Sequence, residues 1–485
     1  MLINVTNLTF SYEGSYDNIF ENVSFSIDTD WKLGLVGRNG RGKTTFLRLL
    51  KGDYEYVGNI SGGVDFEYFP YEVEDISVNT IDVVDRINHM YEYWQLQREL
   101  SLLDVLEDVL YRPFESLSNG ERTKVLIATM FLKENKFLLI DEPTNHLDTE
   151  GRKKLAQYLK SKKGYILVSH DRAFIDECVD HILSLNKLNI DVQKGSFSSW
   201  WENKENRDRA NEEENRKLKK EIKRLSEASK RTDNWSNKVE KSKRGAADKG
   251  FVGHKAAKMM KTSKNIEARQ NMMIEDKRDL LKNIELVDTL KLQAETYHSN
   301  LLITAKDLSV SYGAYSVFCD LSFDIFNGDK VVIQGKNGTG KSTVLKLISG
   351  CDISYSGAFQ MGSGIKVSYV PQDTSFLPGD LSVFAEERKI DESLFKTILR
   401  KFDFSREQFD ICMSSYSAGQ KKKVLIAASL CEKAHLYLWD EPLNFIDVFS
   451  RMQIENMLKD SAMTFAFVEH DSSFCDNVAT KKIVL

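Results

Sequence analysis

The sequence predicts an α/β protein of two tandem domains built alike and joined by a long antiparallel helical (coiled-coil) linker. Three observations carry that reading. An apolar strand, a glycine-rich loop and a helix follow one another over residues 33–50, and the same succession returns near residue 335. Five further segments recur in the same order at a nearly constant offset. It is 298 residues from Gly37 to Gly335, 299 from Ser118 to Ser417 and from Asp141 to Asp440, and 300 from His170 to His470, the mark of a duplicated domain. Between the copies, residues 201–297 lose their strand-like runs and take on charge and helical spacing. The expected boundaries are therefore 1–200, 201–297 and 298–485.

In the first domain, Leu8–Tyr12 and Val23–Ile27 read as short strands, with Phe10 and Tyr12 on one face. Tyr12 is either a half-buried sheet aromatic or a platform for a base. Leu33–Val36 ends a buried strand and Phe46–Leu50 lies on a helix. Between them Gly37-Arg38-Asn39-Gly40-Arg41-Gly42-Lys43-Thr44 fits the loop that wraps a nucleotide's phosphates, the P-loop. Glycines let the backbone aim N–H groups at phosphate, and the helix N-terminus adds its dipole. Lys43 can reach the β- and γ-phosphates, Thr44 can ligate Mg²⁺, and Asn39, Gly40 and Thr45 complete the cradle.

Val64–Pro70 reads as a strand and residues 72–110 as helix-rich. Leu117-Ser118-Asn119-Gly120-Glu121 then opens a helix, where Ser118 and Gly120 form a cap, an anion site, or both. Phe137–Glu142 is an apolar strand ending in two carboxylates, at the edge where α/β sheets bind ligands. Asp141 can hold Mg²⁺ through water and Glu142 can polarise an attacking water. Tyr165–His170 is a second such strand, and His170 can approach the γ-phosphate. The second copy supplies Tyr312; Gly335, Asn337, Gly338, Gly340, Lys341, Ser342 and Thr343 of its loop; Ser417 and Gly419; Asp440 and Glu441; and His470.

In the linker, Leu218, Ile222 and Leu225 have helical spacing, and Met259, Ile266, Met273, Leu280 and Val287 recur every seven residues. Gly245, Gly250 and Gly253 put a turn near 243–254 between two long helices. Between Arg216 and Lys264, Lys and Arg outnumber Asp and Glu by roughly three to one, with Trp235 and Phe251 interleaved. Such a run is either a solvated coiled-coil face or a contact for a phosphate-rich partner. On the second reading the contacting residues are Lys241, Lys243, Arg244, Lys249, Phe251, His254 and Lys255. No apolar run approaches the roughly 20 residues of a membrane span, the N-terminus lacks a signal-peptide pattern, and the six cysteines include no C-x-x-C pair. A cytoplasmic protein is expected.

Taken together, these motifs resemble the ATP-binding cassette (ABC) family, with two tandem ABC-type P-loop ATPase domains, and the resemblance covers nearly the whole chain. It implies two ATP molecules sandwiched head to tail with Mg²⁺. One site joins Lys43, Thr44, Asp141, Glu142 and His170 to Ser417 and Gly419. The other joins Lys341, Ser342, Asp440, Glu441 and His470 to Ser118 and Gly120. Tyr12 and Tyr312 would stack on the adenines. Two cassettes with a long helical linker are similar to the F group, whose members bind ribosomes at the tRNA exit site. Trp31–Leu35, Arg112-Pro113-Phe114 and Trp439–Asn444 look most like its Lsa-like antibiotic-resistance group. The resemblance implies hydrolysis of ATP and contacts with the 70S ribosome, its 23S rRNA and P-site tRNA, with no permease and no DNA partner. The chain departs from the family where Tyr71 replaces the glutamine that Gln372 keeps near Mg²⁺, and where Phe445-Ile446-Asp447 replaces the His146-Leu147-Asp148 pattern.

Overall fold

The computed structural model describes residues 1–13, 18–145, 147–186, 190–241, 295–313, 315–336, 338–459 and 461–485. Met1–Trp200 and Thr289–Leu485 form one compact unit, and Trp201–Asp288 a second.

Within the first unit, each half is built around a parallel sheet. In the N-terminal half the order is Asp65–Phe69, Lys136–Asp141, Tyr165–Val168, Lys32–Val36 and His181–Leu185, all parallel, with Ile190–Lys194 antiparallel at the edge. Both faces are covered, so the central strands are continuous apolar runs: every residue of Tyr165–Val168 is buried. The loop 37–42 leaves the C-terminal end of Lys32–Val36 and enters the helix Lys43–Lys51.

A small antiparallel sheet, with Leu2–Phe10 between Phe20–Asp28 and Val57–Ser61, covers that helix. Phe46 is the joint: it is fully buried, with the Phe20 and Phe25 rings 6.0 and 5.8 Å away. Burying a side chain of this size contributes about 2–3 kcal/mol.

The C-terminal half repeats the plan. Its sheet order is Val367–Val370, Leu436–Asp440, Phe465–Val468, Lys330–Gln334 and Lys481–Val484, all parallel. Leu301–Tyr312 is the central strand of its antiparallel sheet.

The copies differ at one predicted strand. In the first, the strand stops at Phe10, which pairs with Phe20, so Tyr12 lies beyond it; in the second it runs to Tyr312, which pairs with Tyr315. A two-residue connection closes a tight hairpin, whereas residues 11–19 are too many to do so.

The linker's first helix is Phe197–Lys241, 45 residues and about 68 Å long. It starts four residues ahead of the expected boundary, because Phe197 and Trp200 are buried one helical turn apart. Leu218 and Ile222 are half-buried among exposed neighbours, as their spacing predicts. The second helix, the turn at 243–254, the heptad from Met259 to Val287, and Lys243, Arg244, Lys249, Phe251, His254 and Lys255 lie outside the described residues, as do the side chains of Leu225, Trp235 and Lys241. Among the described residues no helix is long and apolar enough to cross a membrane.

Candidate functional site

Both glycine-rich loops fold as their composition requires. Gly42 and Gly340 cap their helices at φ 83° and 88°, in left-handed backbone. A Cβ at Gly42 would lie 2.6 Å from Ile19 Cγ2, and one at Gly340 would lie 2.4 Å from Val317 Cγ1. Lys43 Nζ donates to the carbonyls of Gly37 (2.7 Å) and Arg38 (3.3 Å) and to Asn39 Oδ1 (3.3 Å). Lys341 Nζ donates to those of Gly335 (2.9 Å) and Lys336 (2.8 Å). Each loop thus holds its lysine centrally; Asn337 lies outside the described residues.

The carboxylates at the strand ends meet these loops. Thr44 Oγ1 donates to Asp141 Oδ2 at 2.8 Å, and Ser342 Oγ to Asp440 Oδ1 at 3.1 Å. A hydroxyl beside a carboxylate, with room for water and phosphate oxygens, is the all-oxygen donor set that suits Mg²⁺. The next residues, Glu142 and Glu441, sit at φ 50° and 46°, strained for a residue with a side chain. His170 Nε2 is 3.3 Å from Glu142 Oε1, and His470 Nε2 is 3.7 Å from Glu441 Oε1.

The serine at each helix start is a cap as well as a candidate phosphate ligand. Ser118 Oγ accepts from the Glu121 backbone N–H, and Glu121 accepts in return from that of Ser118; Ser417 and Gln420 do the same.

The two halves face each other head to tail. A cavity of about 1040 Å³ is lined by Ser118 and Gly120 from one half and by Tyr312, Lys341, Glu441 and His470 from the other. It matches the upper end of the 300–1,000 Å³ range of small-molecule sites. Opposite, Asn39 Nδ2 donates to the Phe445 carbonyl at 2.8 Å, and a Cβ on Gly419 would lie 3.2 Å from the same nitrogen. Arg38 pairs with Asp403 at 3.6 Å, and Arg172 with Glu455.

A family model described as ABC transporter matches residues 20–145 and 318–444. The chain belongs to the ABC transporter family. It is an ATP-hydrolysing ATPase. Among curated relatives, the ribosome protection protein VmlR of Bacillus subtilis is 26% identical over 491 residues, covering all of this chain and 86% of its own length. The ATP-binding protein Uup of Buchnera aphidicola is 26% identical, over 99% of this chain and 80% of that protein. Among solved structures, an archaeal ribosome recycling factor, aABCE1, crystallised with a ribosomal stalk protein, superposes with a TM-score of 0.65 at 20% identity, over 99% of this chain and 87% of that one. This last match speaks to the fold alone.

The two ABC sites are unlike in charge and access. Around the first loop, burial and then the Asp141 charge push the Glu142 carboxyl up to about 8. Burial and then the Lys43 charge hold the His170 imidazole well below its ordinary value. In the second site burial also acts to raise Glu441, but His470, as hydrogen-bond partner and charge, and Asn444 outweigh it and bring that carboxyl below its usual range. Glu441 Oε2 accepts from Gln372 Nε2 (2.8 Å) and Asn444 Nδ2 (2.6 Å). Tyr71, at the position equivalent to Gln372, lines a separate cavity of about 560 Å³ with Thr44, Asp141 and Glu142. Tyr12 donates to or accepts from Thr45 Oγ1 at 2.8 Å, meets the Phe10 and Tyr54 rings edge-on and is 43% exposed; Tyr312 is 59% exposed.

Three residues escaped the sequence reading. Lys422 Nζ donates to the backbone carbonyls of Pro371 (2.8 Å), Gln372 (3.3 Å) and Asp440 (3.1 Å). Lys423 forms a buried ion pair with Asp447 at 2.9 Å. Arg172 binds Glu455 across the halves. Unpaired lysines on an otherwise apolar helix are the signal that was available at 422 and 423; Arg172 carried none.

Proposed function

We propose that the chain is an F-type ABC ATPase that binds the 70S ribosome and protects it from peptidyl-transferase-centre antibiotics: lincosamides, pleuromutilins and streptogramin A. The observation that carries this reading is a 45-residue helix leaving the first cassette of a chain with two facing cassettes. The full-length likeness to a ribosome protection protein supports it. In this reading the domains are 1–200, 201–297 and 298–485. Lys43, Lys341 and the loop glycines hold ATP phosphates, with Ser417 and Gly419, or Ser118 and Gly120, closing each sandwich. Thr44 with Asp141, and Ser342 with Asp440 and Gln372, hold Mg²⁺. Glu142 and Glu441 polarise the attacking water, with His170 and His470 at the γ-phosphate. Tyr12 and Tyr312 stack on adenine. ATP clamps the halves together; the linker enters by the tRNA exit site, and Lys241, Lys243, Arg244, Lys249, Phe251, His254 and Lys255 meet 23S rRNA and the P-site tRNA. The protein acts in the cytoplasm, without a permease and without DNA.

The test is the double variant Glu142→Gln, Glu441→Gln. With ATP it should sediment with 70S ribosomes and stay there, and wild type, but not the variant, should raise resistance to the three drug classes in a susceptible host. A double variant that stays free of ribosomes with ATP defeats the proposal. A second reading, a housekeeping translation factor, fits the same paired cassettes and long linker helix. Ribosome binding with unchanged drug susceptibility would select it.

A further inference from the structure

The second cassette buries a cation that the first does without. Lys422 is 2% exposed and gives its ammonium to three main-chain carbonyls, those of Pro371, Gln372 and Asp440, at 2.8, 3.3 and 3.1 Å. Three N–H donors thus meet three acceptors, which is what a buried ammonium needs. The Asp440 carboxylate accepts from Ser342 Oγ at 3.1 Å, so Lys422 and the proposed Mg²⁺ ligands use different oxygens of that residue.

Four positions of the first cassette correspond. Thr123 lies five residues after Ser118, as Lys422 lies five after Ser417, and Pro70, Tyr71 and Asp141 stand where Pro371, Gln372 and Asp440 do. Thr123 turns its hydroxyl back to the Asn119 carbonyl of its own helix, 2.9 Å away. All four positions line the cavity of about 560 Å³ beside the first P-loop. The space that the Lys422 side chain fills in one cassette is therefore open in the other, and the positions of its three acceptors border it.

The cavity is larger than one lysine side chain, and the rest of its wall is apolar. Phe69, Phe114 and Leu126 are buried, and Ile76, 41% exposed, stands where the cavity meets solvent. Asp141 and Glu142 add two carboxyl groups. Arg122, the cation of this lining, is engaged elsewhere: it donates to the Phe114 and Glu115 carbonyls and lies over the Phe114 ring. Apolar walls, a few convergent polar groups and this volume are the make-up of a small-molecule site.

We propose that the cavity binds a small primary amine with an apolar body. Its ammonium takes the place of Lys422 Nζ against Pro70, Tyr71 and Asp141, and its hydrocarbon part lies along Phe69, Ile76, Phe114 and Leu126. The seat selects a primary amine by donor count. A quaternary ammonium keeps the charge without any N–H, and an alcohol has one donor and no charge.

The test uses the purified full chain at pH 7, without ribosomes or nucleotide. Titration with n-hexylamine, followed by ligand-observed NMR, should saturate with a Kd on the order of 1 mM. n-Hexanol and hexyltrimethylammonium, which keep the body but lose the charge or the donors, should bind at least about tenfold more weakly. Thr123→Lys supplies a tethered ammonium, as the second cassette does, and should weaken hexylamine at least about tenfold at an unchanged melting temperature. Ile76→Ala, at the exposed rim, should weaken it about threefold to tenfold through lost apolar contact. If Thr123→Lys fails to fold, Ile76→Ala and the three-ligand comparison decide. Equal binding of the three ligands, no saturable binding of hexylamine to wild type, or undiminished hexylamine affinity in folded Thr123→Lys or in Ile76→Ala overturns the site.

Discussion

Removing the Asp447 carboxylate should destabilise the second cassette far more than removing its counterpart Asp148 destabilises the first. The Asp447 side chain is fully buried and that of Lys423 is 6% exposed. Asp447 accepts from Lys423 Nζ, from the Ser450 N–H and from Ser450 Oγ, each at 2.9 Å. Asp447→Ala leaves Lys423 with only the Phe402 carbonyl at 2.9 Å. Stripping one partner from a buried ion pair costs about 3–5 kcal/mol, and the lost helix cap adds about 1. Asp148 is half-exposed and caps Gly151 N–H at 2.8 Å, so Asp148→Ala should cost about 1 kcal/mol. Hydrogen exchange within Ala418–Cys431 reads the difference locally, without requiring both cassettes to unfold as one. Amides there should exchange about a hundredfold to several thousandfold faster in Asp447→Ala than in Asp148→Ala. The pH dependence has a definite sign. Burial would raise the Asp447 carboxyl, but Lys423 and then Lys43 outweigh it and hold it below the ordinary carboxylate range. Its stabilisation is therefore fully present above about 3.8 and is lost as pH falls below that value. The gap between the two variants should narrow in acid. Equal losses, or a gap that widens in acid, would refute the reasoning.

Other expectations follow from the two sites. At pH 7 Glu441→Gln should remove most steady-state phosphate release and Glu142→Gln little, because Glu142 is largely protonated below about 8; the two should converge as pH rises past that value, and an equal loss at pH 7 would contradict this. Gly42→Ala meets Ile19 at 2.6 Å in left-handed backbone and should cost about 1–3 kcal/mol together with ATP affinity, seen as a lower melting temperature and weaker nucleotide binding. Burial pushes Lys422 down to about 8 from 10.5, equivalent to about 3 kcal/mol against the charged form. Between those two pH values the unfolded chain binds the extra proton, so stability should rise with pH in wild type and this rise should be missing in Lys422→Met.

The features legible in the sequence are those where chemistry demands a residue type at fixed spacing. Gly42, Lys43 and Thr44 cannot be permuted without losing the left-handed turn, the central ammonium or the hydroxyl beside Asp141, so they stand out from their letters alone. Ser118 was legible twice over, as a cap and as a candidate ligand, and the structure shows the cap in place. The strand end at Phe10 was misplaced although its signal was present: nine residues separate Phe10 from Phe20, too many for the short connection between Tyr312 and Tyr315. Phe197 and Trp200, three apart, could have set the start of the linker helix. Arg172 and Glu455 were illegible, since 283 positions separate them and only the packing of the halves brings them together.

The duplication turns such differences into inference, because an identical fold separates what the architecture needs from what one copy has added. Thr123 occupies the place of Lys422, and its hydroxyl reaches only the Asn119 carbonyl of its own helix at 2.9 Å. Lys422 instead ties its helix to the carbonyls of Pro371, Gln372 and Asp440. The Gln372 amide in turn donates to Glu441. In the second cassette the helix capped by Ser417 is therefore linked through two side chains to Glu441. The first cassette has Thr123 and Tyr71 at those two positions and lacks both links. The two carboxylates are therefore tied unequally to their capped helices by these four residues, independently of the local charge around either one.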